Sequence, residues 1–226
     1  MDPVTDAAVE ALGDKLFDDS EYKEPMSTEK RLAFFVEELD MFQCEMCRDF
    51  AKYCLTNAPD YFFTMPASTT SKYHPSWAIK KHGLIAHTKA AIHVANELWP
   101  LYKHLNSASF KLDNLIIMAL MFHDVMKKGY TEQEHSVTHH PDAAATWIQE
   151  QAIRYIEETS GDNGEIFAIA ATVATLIKTH MGQWGRAEFA EGNHFGNMQK
   201  YVHFCDYVAA QKFMSNPYPG VVKELD

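Results

Sequence analysis

No stretch of the sequence reaches the ~18 consecutive apolar residues of a membrane-spanning helix. The first ten residues, MDPVTDAAVE, also lack the basic-then-apolar order of a secretory signal. A cytoplasmic protein without a membrane partner is the expectation. Positive charge is scarce too: 20 Lys and Arg stand against 31 Asp and Glu, a net −11. Such a chain has no basic face with which to displace counterions, which argues against extended DNA or RNA binding. A small anion remains acceptable wherever lysines or a metal ion make a local positive spot. Cysteine is sparse. Cys44 and Cys47 form one C-x-x-C, but no second pair follows at zinc-ribbon spacing, and with Cys54 and Cys205 they read as small buried side chains. Internal repeats, low-complexity tracts and strand-type alternation longer than a few residues are missing as well, so the expected fold is all-α.

What is present is core material: 46% of the 226 residues are hydrophobic, including 14 Phe and 11 Met. That suffices for one compact unit with a sizeable interior. Residues 1–66 read as an N-terminal helical extension packed on a core domain of residues 67–226. The first 27 residues are acidic, weakly periodic and without a motif. From Ser27 onward, Leu32, Phe35, Leu39, Phe42, Met46, Phe50 and Cys54 recur at helical spacing and predict a long amphipathic helix. Three prolines and the cluster PASTTSKYHP between Asn57 and Trp77 predict a loop. It is either a plain connection or, through its Ser, Thr and Lys72, a phosphate cradle.

Five further helices follow. Gly83–Tyr102 carries the stripe Leu84, His87, Ala91, Val94, Ala95 and Leu98; His93, about 240° from His87, faces elsewhere. Lys111–Phe122 has no polar side chain from residue 115 to 122, so it belongs in the middle of the core, and it ends in His123-Asp124. The next helix places Pro141 at its first position with His140 at the entrance; His139 is the neighbouring alternative, and the proline directly after His140 favours His140 as the inward one. Residues 165–180 repeat the pattern and end on His180. A Gly-rich loop, Met181–Asn197, precedes a last helix that turns Val202 and Cys205 inward and has Asp206 at the edge of that face.

A His-Asp dipeptide at the end of a buried helix can be an ordinary hydrogen-bonded pair or a pair of metal ligands, and alone it does not decide. The set is more informative. His87, His123, Asp124, His180 and Asp206 sit at or beside inward positions of four helices, with His140 on a fifth, and each would be costly if buried without a partner. Shared coordination to metal satisfies all of them together. Imidazole and carboxylate without thiolate suit manganese, iron, zinc, cobalt or nickel. Six ligands exceed one tetrahedral ion, which points to two divalent transition-metal ions with Asp124 as the bridge.

In order and helical placement, His87, His123-Asp124 and Asp206 resemble the HD-domain superfamily of metal-dependent phosphohydrolases. The resemblance runs from about Lys72 to Gln211. His140-Pro141 and His180-Met181-Gly182 are similar to the two extra histidine segments of its binuclear branch. Lys127 falls where the family often has a lysine. Met126 stands where that run has a small residue, and Thr179 where the cyclic-dinucleotide phosphodiesterase branch has a histidine. The resemblance implies an HD-domain helical bundle over residues 67–226.

It also implies a phosphohydrolase acting on a nucleotide or other small phosphate ester, in which a metal-bridging hydroxide attacks phosphorus. Asp124 and Lys127 would then be catalytic. Lys127, with Lys72 or Arg186, would meet phosphate oxygens, Trp184 would stack on a base, and Lys128 adds positive charge beside the His-Asp pair; as residues alone, Trp184 reads equally as a plug over the core and Arg186 as a solvated surface charge. Two other readings stay open: relatives with a similar ligand set use two irons and dioxygen to oxidise C–H bonds, and a silent site could serve as a nucleotide sensor. Homo-oligomerisation is left open as well.

Overall fold

The computed structural model describes residues 25–68, 74–106, 113–159, 163–192 and 194–214. Lys72 and most of the acidic lead-in lie outside them. Among the described residues the chain is all-helical, without a strand. The helices are α1 (Thr28–Ala33), α2 (Val36–Asp40), α3 (Glu45–Asn57), α4 (Asp60–Thr64), α5 (Gly83–Asn106), α6 (Asp113–Phe122), α7 (His140–Thr159), α8 (Asn163–Lys178) and α9 (His194–Ala209). A 3-10 turn, Gly182–Trp184, follows α8. No described helix is long and apolar enough to cross a membrane.

A helix with no polar face can lie only between other helices. α6 does so: Ile116 to Phe122 are all buried, and α5, α8 and α9 pack around it. α7 pairs with α8, and α3 closes on α7. All six residues that converge on the site come from these central elements or from the turns that end them. A single hydrophobic core runs from Met26 and the phenylalanines of the first helices through α5 and α6 to Val202 and Cys205 of α9. The described residues before 67 therefore share their interior with the rest.

The long first helix expected from the periodicity is instead three helices, α1, α2 and α3. Its apolar spacing is retained, but the backbone turns at Phe34–Phe35 and again at Met41–Cys44. The cause is tertiary. Lys89 on α5 donates from Nζ to Phe34 O at 2.9 Å. Asn114 at the start of α6 accepts from Gln43 N at 3.0 Å and Cys44 N at 3.3 Å through its side-chain oxygen. Distant side chains thus satisfy polar groups that a continuous helix would satisfy internally. The loop expected between Asn57 and Trp77 contains α4, whose Tyr61, Phe62 and Phe63 are buried. Arg31 holds this region by reaching Met26 O, Thr56 O, Ala58 O and the Asp60 carboxylate. The Gly-rich loop is shorter than expected because α9 already begins at His194. All four cysteines are free, and three of them, Cys47, Cys54 and Cys205, are buried as small side chains.

On the face of α5 away from His87, a charged group is taken wholly into the core. Glu38 accepts from Lys89 Nζ at 2.7 Å on one carboxylate oxygen and lies 3.0 Å from His93 Nε2 on the other. Burial alone would raise the Glu38 pKa, but His93 and Lys89 outweigh it and hold the carboxyl below its ordinary value of 4.5. With a depressed folded-state pKa, this group contributes fully above the unfolded value, and the contribution is lost as pH falls through the folded one. Leaving one buried charge unpaired costs about 3–5 kcal/mol, whereas replacing both partners by apolar groups is close to neutral. Urea denaturation should therefore show Lys89→Met losing about 3–5 kcal/mol and Glu38→Leu/Lys89→Met recovering most of that loss. A single variant as stable as wild type would contradict this description of the pair.

Candidate metal centre

His123 and Asp124 follow the last residue of α6, so the apolar rod delivers them to the interior with their backbone already turning. His180 is delivered in the same way two residues beyond α8. His140 opens α7 with Pro141 behind it in the first turn. His87 comes from the first turns of α5, and Asp206 from α9. His87, His123, Asp124, His140 and His180 are all buried, and the six side chains meet at one place.

Three of the histidines have the same setting. Nδ1 of His123 lies 2.7 Å from Leu120 O, that of His140 2.8 Å from Val137 O, and that of His180 2.7 Å from Ile177 O. A carbonyl can only accept, so each Nδ1 carries a proton and each Nε2 is left to face inward. This is the pattern that orients imidazole ligands at metal sites. The consequence is sharpest where Nε2 of His140 and Nε2 of His180 approach to 3.2 Å. Burial and the charge on His123 push the His180 pKa down to about 3, so its ring is neutral and its Nε2 is a bare lone pair. A proton or a cation shared between the two nitrogens is required to relieve their contact.

Asp124 faces both ways. Its Oδ1 lies 3.0 Å from His140 Nε2 and 3.7 Å from His180 Nε2, and its Oδ2 lies 3.5 Å from His123 Nε2 and pairs with Lys127 Nζ. Across the site, Nε2 of His87 donates to Asp206 Oδ1 at 2.9 Å, and His123 Nε2 lies 3.5 Å from the same oxygen. His123 Nε2, Asp124 Oδ1 and His87 Nδ1 are nonetheless buried without a hydrogen-bond partner. Burial would raise both carboxyl pKa values, yet Lys127 and His123 hold Asp124, and His123 and His87 hold Asp206, well below the usual range. Burial likewise opposes charge on His123, but the two carboxylates outweigh it and lift that ring to about 10.

Two sets of ligand atoms are close enough to hold an ion: His87, His123 and Asp206, and His123, Asp124 and His180, with His140 beside the second. The donors fit the group. They are imidazole nitrogen and carboxylate oxygen, held by backbone contacts behind them, and they include atoms that nothing else satisfies. Glu37, Glu38 and His93 form a third acidic grouping. There both Glu38 oxygens are already engaged by Lys89 and His93, and the ammonium supplies the balancing charge.

The other candidates are placed differently. Lys127 is at the centre, on Asp124. Lys128 is half-buried, with no side-chain hydrogen bond or ion pair to the cluster among the described residues. Arg186 is exposed. Trp184 is exposed and stacks on Tyr207 with ring centroids 5.6 Å apart and planes at 13°. Two histidines that helical periodicity did not single out belong to the surroundings. His74 packs edge-on against His87 at 5.3 Å between centroids, with its Nδ1 buried and unpartnered. Burial, then His87 and Lys127, lower its pKa to about 3. Its loop is pinned by Ala67 N to Ala78 O and by Trp77 Nε1 to Met214 O. His203, three residues before Asp206, reaches the backbone of His180.

His139 is exposed, whereas its neighbour His140 is buried in the cluster. His93 engages Glu38 and not the cluster. Elemental analysis after equilibration with manganese or zinc should therefore show metal loss in His140→Ala and Asp124→Ala, and wild-type content in His139→Ala and His93→Ala. Equal loss across the four variants would mean that the cluster is not where the ions bind.

No family model, no curated protein and no solved structure matches this chain.

Proposed function

We propose that the chain is a metal-dependent phosphohydrolase of the HD type, acting on a nucleotide or another small phosphate ester with two divalent transition-metal ions. The observation that carries the metal reading is the approach of the His140 and His180 Nε2 atoms to 3.2 Å, with both Nδ1 atoms committed to carbonyls. Asp124, with one oxygen toward each set of ligands, is the group suited to join two ions. His87, His123 and Asp206 would hold one, and His140, His180 and Asp124 the other.

Bound there, divalent ions would act as Lewis acids toward phosphoryl oxygen and lower the pKa of water for attack on phosphorus. The residues do the rest. Asp124 and Asp206, held ionised by neighbouring cations, would take up divalent charge without themselves losing a proton, whereas His123, charged beside the two carboxylates, would give up its Nε2 proton. The buried histidines fix its geometry from behind through the carbonyls of residues 120, 137 and 177. Lys127 brings an ammonium to the same carboxylate. In a chain of net charge −11, that cation favours a substrate carrying two or more negative charges. The oxygen of water adds to phosphorus, the ester P–O bond breaks, and the leaving oxygen takes up a proton. Lys127 stabilises the charge that develops on the phosphoryl oxygens.

Metal-reconstituted protein should release phosphate from nucleotides or other phosphate monoesters under strictly anaerobic conditions, with manganese or zinc sufficient. Lys127→Ala should lower kcat by about 10²–10³-fold while retaining its ions. A strict requirement for iron and dioxygen, with no phosphate released, would replace hydrolysis by oxidation as the reaction class.

A further inference from the structure

His180 follows the end of α8, so the turn there sets where its ring stands. Local bonds hold that turn: Thr179 N to Leu176 O at 3.3 Å, His180 N and Nδ1 to Ile177 O at 3.1 and 2.7 Å, and Gly182 N to Thr179 O at 2.9 Å. One more comes from α9. His203 Nδ1 lies 2.6 Å from the His180 carbonyl oxygen, and since that oxygen can only accept, Nδ1 is protonated and donates.

The His203 ring is confined on several sides. Its centroid lies 5.9 Å from that of Trp184, 5.8 Å from Phe189 and 6.2 Å from Tyr207. Gly182 lies against it with φ 53°, and a Cβ at that position would come within 2.5 Å of the ring. Glycine is therefore required twice over, for the left-handed turn and for the ring beside it. α9 consequently serves both ligand sets: Asp206 enters one directly, and His203, one turn earlier on the same face, holds the backbone of a ligand in the other.

We propose that His203 is a positioning residue for the metal centre, whose hydrogen bond to His180 O fixes the turn that aims His180 Nε2 at His140 and Asp124. The proposal rests on the metal reading above. Trp184, Phe189 and Tyr207 are then the walls that keep this imidazole in place, which gives Trp184 a role within the fold. Without the donor, the His180 carbonyl turns to water, the turn gains freedom, and the second ligand set must be ordered at the moment of binding. The set made by His87, His123 and Asp206 keeps its own supports.

Calorimetric titration of the full-length, metal-free chain with Mn²⁺ tests this, and His87→Ala identifies which binding event belongs to which set. His203→Phe and His203→Leu remove the donor while keeping bulk; His203→Asn keeps an N–H close to the position of Nδ1. Circular dichroism of the metal-free proteins checks that each variant folds. The expected result is that the donor-free variants weaken the event that survives in His87→Ala by about 10–100-fold and leave the other unchanged, while His203→Asn stays within about threefold of wild type. Folded donor-free variants that bind both ions like wild type would overturn the proposal, as would His203→Asn weakened as much as His203→Leu. A wild-type chain that binds no ion would overturn the metal reading and this proposal together.

Discussion

Two ionised carboxylates, Asp124 and Asp206, are taken into the interior where the apolar helix α6 ends, and much of the site is arranged around that cost. Unit charges about 4 Å apart in such surroundings interact by roughly 4 kcal/mol, and an unpaired buried ion costs several. The chain supplies cations and donors from several sides: Lys127 from the following turn, His123 from the adjacent position, His140 from α7 and His87 from α5, while His180 at the end of α8 brings a lone pair. Backbone carbonyls behind three of these rings leave their Nε2 atoms facing one another. Such a cluster of imidazole nitrogens and negative charge is compatible with a metal site.

α5 carries two polar clusters on different faces. His87 belongs to the site, whereas Lys89 and His93 engage Glu38 of α2. The first helices therefore do more than cover apolar surface. They are pinned to the helix that presents His87, and Asn114 pins the α2–α3 turn to the start of α6. Rigid supports of this kind on both helices are what a preorganised ligand set requires.

The helical class and most of the site were legible in the residues, because His87, His123 and His180 continue apolar stripes whose polar members need an explanation. His140 was distinguishable from His139 by the proline after it, and the two are buried and exposed respectively. The breaks between α1, α2 and α3 were not legible. They depend on Lys89 and Asn114, which lie dozens of residues away and leave no mark on local periodicity. His74 was missed because it sits in an irregular segment where helical phase says nothing. His203 could have been noticed from its place one turn before Asp206, but its partner is a backbone carbonyl that no side-chain pattern reveals. For Trp184 and Arg186 ligand contact was only what the family resemblance implied, and the described structure places both at the surface.

The most direct test of the central claim is anomalous diffraction from crystals grown with Mn²⁺, measured on both sides of the manganese edge. The account predicts anomalous peaks within coordination distance of His140 Nε2, His180 Nε2 and Asp124, and of His87, His123 and Asp206, with Asp124 between them. Crystals saturated with Mn²⁺ that show no anomalous peak at either set, with His140 and His180 still in direct contact, would contradict it.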